Sequence, residues 1–159
     1  MRTTLALALG VSLLLAAPAF ADPGWYAEDG PLGTYADNDE NLSLDVWCNE
    51  PDSPPLKVEY ADFNDDHGGI PDDITSGTLV IAAGKSAPKR FTAKYEPDNT
   101  DFLLTGADAR AVINMALLGK GLTVYVDIKG KHHSRGVFSN TGMDRAAGPL
   151  KDCLAQTAN

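Results

Sequence analysis

"FLLTGADARAVINMALLGKG", residues 102–121, decides the fold. Phe102 to Leu104 read as a strand, Thr105-Gly106 as a turn, and the Ala, Val, Ile, Met and Leu that follow as a helix ending near Gly119. The device returns in "VFSNTGMDRAAGPLKDCL", residues 137–154, where a strand from Val137 reaches Thr141-Gly142. In both copies Thr-x-x-Asp, Thr105 to Asp108 and Thr141 to Asp144, has capping-box spacing: the hydroxyl can accept from the third residue's amide while the carboxylate reaches back to the cap. The repeat is therefore structural. Gly148-Pro149 interrupts the second apolar run, so the expectation is a turn after Thr141 and a short helix starting at Pro149, where proline's missing N–H is harmless. Leu150, Cys153 and Leu154 would then share its inward face.

Working outward, "LTVYVDI" (122–128) and "HHSRGVF" (132–138) form a hairpin about Gly130. Upstream, "LSLDVWC" (42–48), "LKVEYADF" (56–63) and "KRFTAKYE" (89–96) alternate apolar and polar residues as half-buried strands do. "GTLVIAAG" (77–84) is apolar on both faces and reads as a central strand. Residues 22–41, rich in Asp, Glu, Gly and Pro, read as an irregular segment anchored only by Trp25 and Tyr26. The expected fold class is α+β: an antiparallel β-rich sandwich or partly closed sheet with two short helices and one disulfide, forming a single domain over residues 42–159.

Residues 1–21 carry Arg2, an apolar stretch from Leu5 to Ala17 and the small-x-small site Ala19-Phe20-Ala21, the signature of a signal peptide. The run is too short for a membrane span, and nothing later approaches twenty consecutive apolar residues, so the mature chain is expected to be soluble. Removing Arg2 takes the formal net charge from −9 to −10, which argues against nucleic acid or anionic lipid as partner, since both demand basic surfaces. Cys48 and Cys153 are the only cysteines, and an exported context favours one bridge between them. Two buried thiols or a catalytic cysteine are the other readings.

One stretch concentrates polar chemistry. "DFNDDHGGIPDD", residues 62–73, sets Asp62, Asn64, Asp66 and Asp73 at positions 1, 3, 5 and 12 of a calcium-type loop. The pattern has faults: His67 stands where the sharp turn wants glycine, Asp closes the loop where a longer carboxylate is usual, and a strand precedes it instead of a helix. A solvated hairpin loop suits the same residues, so no cofactor is expected, with calcium as the alternative. His132 and His133 are adjacent on a strand and point to opposite faces, and no Cys or His cluster offers zinc four ligands. "SAPK", Ser86 to Lys89, lacks the companion elements of the Ser-x-x-Lys enzymes, and there is no Gly-x-Ser-x-Gly, HExxH or phosphate-cradling glycine loop. Positive charge gathers in Lys85–Lys94 and Lys129–Arg135; neighbouring in a sheet, Lys89, Arg90, Lys94, Lys131, His132 and Arg135 would form a partner surface opposite the acidic loop. Charges at solvent-facing strand positions also discourage edge-to-edge aggregation, the plainer reading.

Trp47-Cys48 at a strand end, the strand leading into a small-residue turn and helix, and the terminal Ala147-x-Pro149-Leu150-x-x-Cys153 resemble the invasion-associated locus B family and the periplasmic accessory proteins linked to type VI secretion. The resemblance spans roughly residues 42–154. It implies a compact β-rich domain with no established enzymatic chemistry; the acidic insertion at 62–73 and His132-His133 depart from the pattern.

These readings lead us to expect an exported, non-catalytic interaction module, periplasmic or secreted, with a protein or cell-wall partner. The alternatives are an acidic inhibitor or immunity protein against a cationic hydrolase, a calcium-dependent adhesion or envelope module, and a small cell-wall hydrolase using a free cysteine.

Overall fold

A computed structural model describes residues 24–27, 32–37, 39–49, 54–63, 70–71, 73–97 and 101–157. The signal-peptide expectation for residues 1–21 lies outside the described residues. Among the described residues nine strands and two helices follow in the order β1 (Tyr26–Ala27), β2 (Leu32–Ala36), β3 (Asp39–Cys48), β4 (Leu56–Asp62), β5 (Ser76–Ala83), β6 (Lys89–Glu96), β7 (Asp101–Thr105), α1 (Gly106–Ala116), β8 (Leu122–Ile128), β9 (Lys131–Phe138) and α2 (Met143–Gln156). They build one antiparallel sheet ordered β1-β2-β3-β4-β7-β6-β5-β8-β9. β5, β6 and β7 form a meander that returns β7 beside β4, a Greek-key step.

The sheet nearly closes. β9 comes against β2 and β3, and the Asp37 N–H donates to the Val137 carbonyl at 2.6 Å across the seam. Alternate residues fill the interior: Leu44 and Val46 from β3, Val58 and Tyr60 from β4, Leu79 and Ile81 from β5, and Val124 and Val126 from β8 are all buried. Tyr60 and Phe138 meet edge-on at 6.2 Å between ring centroids, and the Tyr60 hydroxyl lies 3.1 Å from Ser134 Oγ on β9. β4 and β9 are not neighbours in the sheet, so those contacts cross the interior.

The described part of residues 22–41 is not irregular as expected: β1, β2 and the first residues of β3 lie there, and Trp25 is buried in the core. Gly33 makes the pairing possible. A Cβ at this position would strike the Asp45 carboxylate and the Tyr26 hydroxyl, which meet over the β2 backbone. The local sequence shows no alternation because what holds β2 is a cross-strand contact.

Two further expectations are corrected at the helices. α2 starts at Met143, six residues before Pro149, and passes through it. Gly148 and Pro149 face solvent while Met143, Ala146, Leu150 and Cys153 continue one buried stripe, so packing offsets the hydrogen bond that proline removes. Neither Thr makes a side-chain cap. Thr105 is the N-cap of α1 without a cap bond, and at α2 the cap position passes to Gly142, left-handed at φ 74°. Gly142 packs against the Trp25 backbone, and the Thr141 carbonyl accepts from the Trp25 N–H at 2.8 Å. The second Thr-Gly turn thus docks the N-terminal segment. Asp108 and Asp144 keep a role in the first helical turns, where the helix dipole favours negative charge.

The expected Cys48–Cys153 bridge is present, with Cα atoms 5.8 Å apart, and ties α2 to the end of β3. α1 lays Ala109, Val112, Ile113 and Met115 against β4, β7 and β5. No helix among the described residues is long and apolar enough to cross a membrane.

Candidate functional site

With the interior filled by side chains, chemistry is left to the outer wall, and the register there decides which residues meet. Arg90 on β6 lies opposite Val80 on β5, Val80 opposite Tyr125 on β8, and Tyr125 opposite Arg135 on β9. This row spans about 14 Å at the usual strand spacing. Arg135 stacks on the Tyr125 ring at 5.5 Å from the centroid, and its Nε–H donates to the Tyr125 hydroxyl at 3.2 Å. One row along, Thr92, Thr78, Asp127 and His132 align. Arg90 donates to Asp127 Oδ2 at 2.9 Å. His132 Nδ1 stands 2.7 Å from Asp127 Oδ1 without alignment, so that oxygen accepts no hydrogen bond among the described residues.

The six expected partner-surface residues therefore divide. Arg90, His132 and Arg135 converge through Asp127 and Tyr125, although β6 and β9 are separated by two strands. Lys94 extends from the same face and pairs with Glu96 at 2.8 Å. Lys89 is exposed opposite the inward-facing Ile81, off the row, and Lys131 is exposed opposite Ile128 at the hairpin. A bulge between Val126 and Asp127 leaves His133 as the extra residue with no opposite number on β8, so the simple alternation from which opposite faces were expected for the two histidines is interrupted there.

Across the barrel the wall carries the opposite charge. Asp45 on β3 lies directly opposite Glu59 on β4, and Asp101 on β7 lies opposite Ala61, one pleat along from Glu59. Glu96 on β6 is opposite Asp101. Tyr26 donates to Asp45 Oδ1 at 2.8 Å and Ser43 to Oδ2 at 2.6 Å; burial still raises the Asp45 pKa, with those two bonds opposing. Lys57 Nζ reaches Glu59 at 3.0 Å and sits 4.9 Å over the Trp47 ring. Asp101 is 8% exposed, and its Oδ1 is buried with no hydrogen bond among the described residues. Its pKa is pushed up to about 7, first by burial and then by Glu59, Asp45 and Glu96, with Lys57 opposing. None of these carboxylates stands out in the sequence. They come from four strands, and β7 reaches β4 only through the Greek-key return.

Of the calcium-loop residues, Asn64 and Asp66 lie outside the described residues, as does His67. Asp62 is buried at the end of β4, and Asp73 is exposed with Lys129 Nζ at 3.2 Å. Among the described residues no three His, Cys, Asp or Glu side chains are placed to hold one metal ion. A shallow recess of about 290 Å³ opens beside the disulfide, between Leu32 and Val46 on one side and Pro149 and Gln156 on the other. No family model, characterised protein or solved structure matches this chain, so the likeness to the exported families gains no support from comparison.

Proposed function

We propose that this protein is an exported, non-catalytic interaction module that binds a protein partner through the outer wall of its barrel. One observation carries the reading: basic side chains predominate on β6 and β9, where Arg90, Lys94, His132 and Arg135 meet Asp127 and Glu96, and carboxylates predominate on β3, β4 and β7, where Asp45, Glu59 and Asp101 meet Lys57. A wall whose charges served solubility alone would have no reason to be sorted by sign. The cationic side also combines two arginines with a tyrosine in one row, the residue types that dominate binding energy at protein interfaces. The disulfide is compatible with an oxidising compartment, the periplasm or the exterior.

A narrower reading, inhibition of a cationic hydrolase, is favoured specifically by the carboxylate side. An acidic surface presented to a basic enzyme raises the association rate and is weakened by salt.

The test is affinity capture on immobilised mature protein from the native envelope and secreted fractions, repeated with Arg90→Glu plus Arg135→Glu and with Glu59→Lys. A single partner retained in stoichiometric amount, released by raised salt and lost with one of the variants, is the expected result. Retention that ignores every wall variant would remove this reading.

A further inference from the structure

We propose that the Asp45–Glu59–Asp101 cluster is the seat of a basic side chain, an arginine or lysine, presented by a cationic protein partner. The assignment rests on the outer wall being an interaction surface and names the chemistry that one side of it takes.

The cluster is expensive as a purely structural arrangement. Carboxylates directly opposite on neighbouring strands repel, and Asp45 and Glu59 are such a pair, with Asp101 diagonal to Glu59 on the third strand. Lys94 and Glu96 neutralise each other at the edge, leaving three carboxylates with the single ammonium of Lys57. A buried oxygen without a hydrogen-bond partner costs free energy in any fold, and Asp101 Oδ1 is one. That oxygen belongs to the same group of carboxylates, whose mutual repulsion Lys57 offsets only in part.

Lys57 shows what chemistry the place accepts. Its ammonium lies between the Glu59 carboxylate and the face of Trp47, the pairing of anion and indole that a partner's ammonium or guanidinium would also find favourable. A metal ion fits less well, because no three candidate ligands among the described residues converge on one point. An organic cation needs no such convergence: it takes one carboxylate directly and the others through the field.

The ledger of protons supplies an independent readout. The groups that act on Asp101 are Glu59, Asp45 and Glu96, which disfavour its charge, and Lys57, which favours it. A second cation arriving among them adds to the effect of Lys57, so binding at or below neutral pH drives a proton off Asp101.

The experiment is titration calorimetry of the mature, oxidised protein with a hexa-arginine peptide at about pH 6.5, in two buffers of different ionisation enthalpy. Hexa-glutamate is the control peptide. We expect hexa-arginine to bind with release of a fraction of a proton. Asp101→Asn should abolish that release and weaken binding about tenfold, as should Glu59→Gln for affinity, while Lys57→Gln should strengthen it. Asp152→Asn, which removes one exposed charge on α2, should change affinity less than about twofold. Absence of binding, binding without proton release, or equal weakening by Asp101→Asn and Asp152→Asn overturns the assignment. If cluster variants leave partner capture intact while Arg90→Glu abolishes it, the seat is refuted and the interaction module stands; if no wall variant affects capture, both fall.

Discussion

The guanidinium of Arg110 on α1 donates to the main-chain carbonyl of Leu154 on α2 at 2.9 Å, and its second amino group reaches the Thr157 carbonyl at 2.7 Å and hydroxyl at 3.1 Å. The last turn of α2 has no basic residue of its own. One helix thus receives the charge that complements its C-terminal dipole from the other.

Arg110→Ala should destabilise the fold by about 2 kcal/mol, since hydrogen bonds to a charged donor contribute more than neutral ones and the carbonyls are left to solvent. Arg110→Lys should recover only part of this, because an ammonium lacks the planar fork that spans two carbonyls. Denaturant midpoints of the three proteins, compared at equal slope, check the order.

Asp101 gives the fold an inverted acid response. Its pKa is raised to about 7 from the usual carboxylate value, so the folded chain holds a proton that the unfolded chain releases. Its contribution to stability is therefore complete at low pH, declines as pH rises above its ordinary pKa of 3.8, and is lost above about 7. Asp101→Asn should raise the melting temperature at alkaline pH by several degrees, about 4 °C per kcal/mol in a domain of this size, and have little effect at acid pH. An equal effect at both extremes would mean that Asp101 does not titrate in this window.

Removing the bridge with Cys48→Ser plus Cys153→Ser should cost up to about 4.7 kcal/mol, the chain-entropy value for a loop near 100 residues. Because the bridge borders an open recess, a thiol reductant should also reach it without denaturant. Melting curves with and without reductant, with thiols counted before unfolding, test both statements.

Gly33→Ala should cost about 1–3 kcal/mol, the range for forcing atoms into a filled site, by prising Tyr26 from Asp45. Tyr26→Phe should cost less, since it removes only the hydroxyl. If the alanine variant is the milder of the two, the close approach at Gly33 is not what holds β2.

Millimolar calcium should leave the midpoint unchanged. Asp62 is buried at a strand end and Asp73 already faces Lys129, which leaves the loop pattern two of its four carboxyl and amide positions short of a free ligand set. A ligand bound at one hundred times its dissociation constant would add about 2.7 kcal/mol, so even modest affinity would register as an upward shift.

The main part of β3, β4 and β6 were legible because each buries one face and writes that burial as alternation, as "KRFTAKYE" does with Phe91, Ala93 and Tyr95 inward, while β5 was legible as a continuous apolar run. β2 was not, because Gly33 and Thr34 serve a contact with β3 and leave no period-two trace. Pro149 misled for a related reason: local propensity marks a helix start there, while the buried stripe from Met143 to Cys153 and the covalent tie to Cys48 carry the helix through it. Arg90 and Arg135 were visible as members of charged runs. Asp101 sat among turn-forming residues, and only strand order placed it beside Glu59.

The seam between β2 and β9 joins the first strands of the domain to the last. A chain that appears N-terminus first, from a ribosome or through a translocation pore, cannot close this barrel until Phe138 has emerged, and cannot give Cys48 its partner until 105 further residues have followed. Until then the β2 end of the sheet stays open, and the many distant pairings make closure slow. Closure of the domain thus waits for nearly the whole chain, and a holdase that shields β2 and its neighbours until then should raise the yield of correctly oxidised protein.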